Sequence, residues 1–317
     1  MEMRKLFACT AAGLLVVAAG CGEKPAPAAA PASAPAPAIS TPADPYQAEI
    51  QKFQQEREAK LKTDTGWLTV AGLFFLSQPT TTFGSNPLND IVLPAGAPDK
   101  AGTFQLKGGK VFVKAEPDVT FVLDGKPVTE KLLKSDGEGE PDRLTLGDLQ
   151  LWVHQSGDRP SIRLRDKNSK LRKEFVGTSW FPINAAFKAE GTYTPYPKPK
   201  IVEVPNVLGD IDKMTVPGIV SFTLNGQEMK MEPIFEPDDK EFWFVFRDLT
   251  SGHETYPSAR FLYVPPPVNG KISVDFNRAE NPPCAYNPYT TCPLPFEQNR
   301  LKTRIEAGEK AYAGHSR

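Results

Sequence analysis

Histidine is almost missing from this chain: 317 residues hold three, His154, His253 and His315. A metal centre built on imidazole has little to draw on, and neither metal nor cofactor is expected. Cysteine is nearly as sparse, with four, which excludes a disulfide-dense scaffold. Neither sign of charge dominates, with 37 Lys and Arg against 38 Asp and Glu. Removing residues 1–20 takes away Glu2, Arg4 and Lys5 and moves the net charge from −1 to −2. Nucleic acid is therefore not an expected partner, because counterion release needs a clustered basic surface. No Gly-x-Ser-x-Gly elbow occurs, so a serine hydrolase of that type is not expected either.

Proline, by contrast, is plentiful, at 32 residues, and it divides the chain. Arg4 and Lys5 precede an apolar stretch from Leu6 to Ala19, a basic n-region with an h-region too short to remain as a membrane span. Residues 21–45 are an anchor and linker whose Pro/Ala tract, 23–45, reads as an extended, semi-rigid spacer. About 270 residues remain for the folded body, enough for one large or two ordinary cores.

Asp44–Pro45 supplies a helix cap and a first-turn proline, so a helix is expected over 46–66, with Tyr46, Ile50, Phe53 and Leu61 on its buried face and Glu56, Arg57, Glu58 and Lys60 between them. From Gly66 onward the pattern turns to strands. Short apolar runs at Trp67–Val70, Leu73–Leu76, Val111–Val113, Val119–Leu123 and Leu149–Val153 follow at sandwich-like spacing. Asp124–Gly125 and Asn225–Gly226 are hairpin signals, the second between Val220–Leu224, which alternates, and Gln227–Met231. The prolines are expected to forbid long helices and long central strands. The expected class is mainly β: an N-terminal helix, a β-sandwich over 67–170, then a second antiparallel β domain over 171–317 with a proline-rich C-terminal tail.

Three resemblances bear on this reading. Ala18–Ala19–Gly20–Cys21 resembles the lipobox of bacterial lipoproteins, with Ala18 where leucine is usual. That implies a signal peptide over 1–20 and lipidation of Cys21, and Gly22 in place of aspartate implies the outer membrane, with the membrane as a partner through the N-terminal lipid. Residues Gly84–Ser85, Asn89–Asp90–Ile91–Val92–Leu93–Pro94 and Leu144–Thr145–Leu146–Gly147–Asp148–Leu149 are similar in rhythm to the forkhead-associated sandwich over about 67–166. Its phosphothreonine reader needs an arginine after the glycine and a Ser-x-x-His loop. Ser85 and Pro98–Asp99–Lys100–Ala101 stand there instead, so the resemblance implies the architecture without phosphopeptide binding. Finally, Gly66–Trp67–Leu68, Trp180–Phe181–Pro182, Phe246–Tyr256, Arg260–Tyr263, Asp275–Tyr286, Cys292–Pro295 and Asn299–Leu301 resemble an uncharacterised bacterial family, domain of unknown function 1684, across most of 46–312. It implies no established activity.

The stretch 247–300 is dense in reactive groups. Arg247, Arg260 and Arg278 offer forks to a carboxylate, phosphate or sugar acid, and Asp248, Glu254 and Asp275 offer acid or base groups. Ser251, His253, Tyr256 and Asn277 complete the candidate binding or catalytic set, with Thr250–Ser251–Gly252 as a turn. The same Arg and Asp residues equally suit staples that tie loops together. His154 follows Trp152–Val153 at a strand end and reads as a surface or turn residue. Cys284 and Cys292, with seven residues between them, suit a disulfide in an oxidising compartment, against a zinc pair or a reactive thiolate as alternatives. Phe242–Trp243–Phe244–Val245–Phe246 reads as a buried strand. Two functions fit this sequence: a lipid-anchored envelope module that binds a ligand or protein or has a structural role, and an envelope hydrolase with a carboxylate and arginine site around 247–284.

Overall fold

The computed structural model describes residues 44–314. The leader, Cys21 and nearly all of the spacer lie outside the described residues, as does His315.

Helix α1 (Pro45–Lys62) starts where its cap predicts, with the Asp44 carboxylate accepting from the Tyr46 N–H at 3.0 Å. Ile50 and Leu61 are buried on one face. The third buried residue is Arg57, which the sequence placed among the solvated positions; it ion-pairs with Glu280 and donates to the Asn281 carbonyl at 2.9 Å. Distant partners thus make burial of its charge tolerable. Past the helix the chain runs so close to itself at Gly66 that a Cβ would meet the Leu61 carbonyl oxygen at 2.2 Å, so only glycine fits. Trp67–Thr69, expected as strand, is a single 3-10 turn leading into the sandwich.

Eleven strands follow. β1 (Val70–Phe75), β2 (Thr80–Gly84), β3 (Ile91–Val92), β4 (Gly102–Lys107) and β5 (Lys110–Ala115) come first. β6 (Phe121–Leu123), β7 (Lys126–Val128), β8 (Glu130–Leu133), β9 (Leu144–Leu146), β10 (Leu149–Ser156) and β11 (Arg159–Asp166) complete the set. They form two sheets, ordered β1-β11-β10-β9-β6-β7 and β3-β2-β4-β5-β8. Between them lies one apolar cluster that includes Phe83, Phe104, Phe121, Leu144 and Ile162. The Asp124–Gly125 turn takes positive φ at both residues, which sets β6 against β7 as the primed turn requires.

The second region opens with β12 (Lys188–Pro205) and β13 (Ile211–Leu224), then β14 (Gln227–Met231), β15 (Phe242–Phe246), β16 (Arg260–Val264) and β17 (Lys271–Asp275). Its main sheet runs β14-β13-β12-β17, and β15 and β16 pair separately. Strands of 18 and 14 residues contradict the expectation that proline would keep strands short. The prolines are tolerated by position. β17 pairs only with Lys188–Thr192 of β12, so Pro195, Pro197 and Pro199 fall on an edge and across a register shift against β13. Pro217 of β13 likewise lies beyond the reach of β14, which pairs from Val220 onward. The inward alternation of Val220, Phe222 and Leu224 is as expected, and these side chains join Phe244, Phe246 and Phe276 in a second core.

Candidate functional site

The expected cluster at 247–300 does not converge on one cavity. It divides into two buried staples and several surface residues. In the first staple Arg260, 0 % exposed, sits 3.3 Å from the Asp248 carboxylate and donates to the Ile305 carbonyl at 3.0 Å and to that of Ala307. Asp248 also accepts from the Ile305 N–H at 2.7 Å and the Thr250 hydroxyl at 2.6 Å, with Ser251 at its edge. Every lone pair of that carboxylate is directed at the fold, leaving none for a substrate.

The second staple fastens α1. Both Asp275 oxygens accept from the Tyr46 hydroxyl at 2.9 Å, and Asn277 bridges Asp275, Tyr46 and the backbone of Asn184. Burial, then the Asp275 charge, pushes the Tyr46 phenol above its usual value, so it remains a donor. Arg278 pairs with Glu49 and lies over the Phe53 ring. Arg247 and His253 are exposed, and Glu254 pairs with Arg304, whose guanidinium lowers its carboxyl. The Tyr256 hydroxyl donates to the Cys284 carbonyl at 3.2 Å. Cys284 and Cys292 are joined in a disulfide. This closes the zinc-pair and free-thiolate alternatives.

A cleft of about 610 Å³ opens where α1, the sandwich and the second region meet. That size suits a small ligand. Its walls come from far apart in the chain: Phe53 and Lys60 of α1, Trp67, Arg163 of β11, Trp243 of β15 and Tyr263 of β16. The Trp243 and Tyr263 rings are stacked, 7° from parallel. Trp243, expected as core, is half-buried because the alternation of β15 points it away from Phe242, Phe244 and Phe246, which enter the second core, and places it at the cleft. From the C-terminal tail come Arg278, Glu280, Thr291, Cys292 and Pro293.

The electrostatics of the cleft are uneven. Beneath it, Arg57 lies between Glu280 at 3.2 Å and Glu309 at 3.8 Å. Burial opposes its charge, but the two carboxylates hold the guanidinium above its usual value. Burial raises both carboxyls, with Arg57 pulling against it. The Tyr286 hydroxyl donates to Glu309. Across the cleft, burial draws Arg163 down to about 10, so it stays charged at neutral pH. Two donors in cleft-lining side chains, Arg163 Nε and Trp243 Nε1, are shut from solvent without a hydrogen-bond partner among the described residues. Such groups are costly unless an acceptor reaches them.

Sequence reasoning missed most of this lining. His154 is not a turn residue. It lies inside β10, 8 % exposed, between Asp136 and Thr291. Those partners stand 18 and 137 positions away, so no local pattern announced them. Among the described residues, no three or more His, Cys, Asp or Glu side chains gather as a metal would need.

Against known proteins, a family model described as "Protein of unknown function (DUF1684)" matches residues 173–310. No curated protein matches. A solution NMR structure of an uncharacterized protein from Haloarcula marismortui is 30% identical, covering 45% of this chain and 81% of that one, at a TM-score of 0.39. The X-ray structure of the N-terminal FHA domain of S. cerevisiae Rad53p, in complex with a phosphothreonine peptide, is 22% identical over 30% of this chain and 72% of that one, at a TM-score of 0.19.

Proposed function

We propose, for a chain that belongs over residues 173–310 to the family described as protein of unknown function (DUF1684), a ligand-binding module of the cell envelope, lipid-anchored at Cys21, whose cleft takes an acidic sugar. The observation that carries this reading is a cleft of small-ligand size walled by the stacked Trp243 and Tyr263 rings, with the Arg163 guanidinium across from them. Lys60 and Arg163 add positive charge at the walls, against Glu241 and Glu280, and the tryptophan and tyrosine faces suit a sugar ring. The lipobox-like leader and the Pro/Ala spacer supply the anchor in this reading. The rival hydrolase with carboxylates at 247–284 gains no support from Asp248 or Asp275, whose oxygens are engaged within the fold.

Titration with glucuronate is expected to change tryptophan emission saturably, and glucose to do so less. Trp243→Leu removes the aromatic face from the wall, and should weaken binding about 2- to 12-fold, the worth of one aromatic contact of about 0.5–1.5 kcal/mol. Emission unmoved by uronic acids and neutral sugars alike would remove the sugar reading. Separately, Cys21→Ser is expected to move the protein from the membrane fraction to the soluble one, or to leave it unprocessed. Unchanged processing and fractionation would rule out Cys21 as the anchor.

A further inference from the structure

One wall of the cleft is joined to the sandwich by a chain of three polar side chains. Asp136 follows β8, and its Oδ1 accepts from the Gln155 N–H at 2.9 Å. Its Oδ2 lies 2.7 Å from His154 Nδ1, and His154 Nε2 lies 3.0 Å from Thr291 Oγ1. An ionised carboxylate only accepts, so the ring proton sits on Nδ1 and Nε2 is left to accept from the hydroxyl. The order carboxylate, imidazole, hydroxyl is the one by which a base draws a proton from an oxygen nucleophile.

Three further features distinguish this chain from an ordinary tether between layers. Thr291 lines the cleft while His154 stands behind it, which places the hydroxyl foremost. Arg163 also lines the cleft, with Nη2 3.4 Å from Thr291 Oγ1, so a cationic donor adjoins the point of attack. Cys292, the next residue, is bonded to Cys284, which ties down the peptide that carries the threonine. An oxygen nucleophile in this position needs no elbow motif, because the tail loop rather than a strand-to-helix turn presents it.

We propose that Thr291 is the nucleophile of an ester-cleaving centre, with His154 as its base, Asp136 as the residue that orients the imidazole and Arg163 as the donor to the developing oxyanion. The inference rests on the cleft being the ligand site, and assigns to it an ester of the bound sugar. Thr291 Oγ bonds to the ester carbonyl carbon as its proton passes to His154 Nε2. The bond from that carbon to the alkoxy oxygen then breaks, and the proton on Nε2 goes to the departing alcohol. Water attacks the acyl group, giving its proton to Nε2, and Thr291 Oγ leaves with that proton as the carboxylic acid is released.

The full chain, held in detergent micelles, is to be treated with a fluorophosphonate, which forms a bond from Oγ to phosphorus as fluoride leaves. Digestion and mass spectrometry are expected to place one adduct on residue 291. Thr291→Ser should label at least as fast, and Thr291→Val not at all. His154→Gln should slow labelling and p-nitrophenyl acetate turnover about 10²- to 10⁴-fold, the usual contribution of a general base. An adduct only elsewhere, or none in either wild type or Thr291→Ser, overturns the proposal. Thr291→Ser and His154→Gln keep the test decisive should the valine variant misfold. Glucuronate titration separates the two failures: saturable binding without an adduct removes the nucleophile and leaves the cleft.

Discussion

Asp248→Ala is expected to cost about 3–5 kcal/mol, the usual consequence of removing one partner from a buried charge pair. Arg260 is among the largest side chains fully enclosed by the protein, and burial already draws its guanidinium below the ordinary value against the pull of Asp248. With Asp248 gone, the cation retains the Ile305 and Ala307 carbonyls and the more distant Glu309 charge but loses the one carboxylate in contact with it. The Ile305 and Thr250 N–H groups lose their acceptor in the same stroke. Urea unfolding, with Cm compared at constant m, measures the loss. Arg260→Met in the Asp248→Ala background should recover part of it, because the uncompensated charge disappears while the two orphaned N–H groups remain. A loss below about 1 kcal/mol for Asp248→Ala would mean that water or another carboxylate reaches Arg260, and the staple reading would then fail.

Local chemistry made much of the fold legible. The two hairpins follow from residues that accept positive φ, Asp124 and Gly125, then Asn225 and Gly226, and no tertiary contact is needed to foresee them. The cap at Asp44 and the alternation of Val220, Phe222 and Leu224 are equally local. Where the reading failed, the deciding partner lay far off. Arg57 looks solvated on a helical wheel, and only Glu280, Glu309 and the Asn281 carbonyl make its burial tolerable. The prolines of β12 look like strand breakers until it is known which of its edges β17 leaves open.

The site repeats this division. The residue types at 247–300 were visible, yet whether Asp248 faces a substrate or Arg260 depends on β16 and the tail meeting, which no spacing reports. Trp243 shows the same limit from the other side. A run of five apolar residues gives no sign that one of them is left half-exposed, because that depends on what covers each face of β15.

Of the site features, the disulfide was the most legible, and it carries the second large effect. Cys284→Ala is expected to lower the stability of the oxidised protein by roughly 2–3 kcal/mol, as for a cross-link closing a loop this short. At about 2–4 °C per kcal/mol the melting temperature falls by several degrees. Against wild type in which the bond has been fully reduced, the difference should vanish, apart from the small packing change at a buried sulfur. Full reduction needs a long equilibration, since both sulfurs are buried and the reductant must wait for local opening. The bond also brackets Thr291, and Cys292 and Pro293 form part of the cleft wall. Reduced protein should therefore bind glucuronate more weakly than oxidised protein at a temperature where both are folded. Equal melting temperatures for oxidised wild type and Cys284→Ala would remove the cross-link as a source of stability. A lower melting temperature with unchanged glucuronate affinity would confine its role to the fold and leave the cleft wall held by the packing of Phe261 and Trp243 against the two sulfurs.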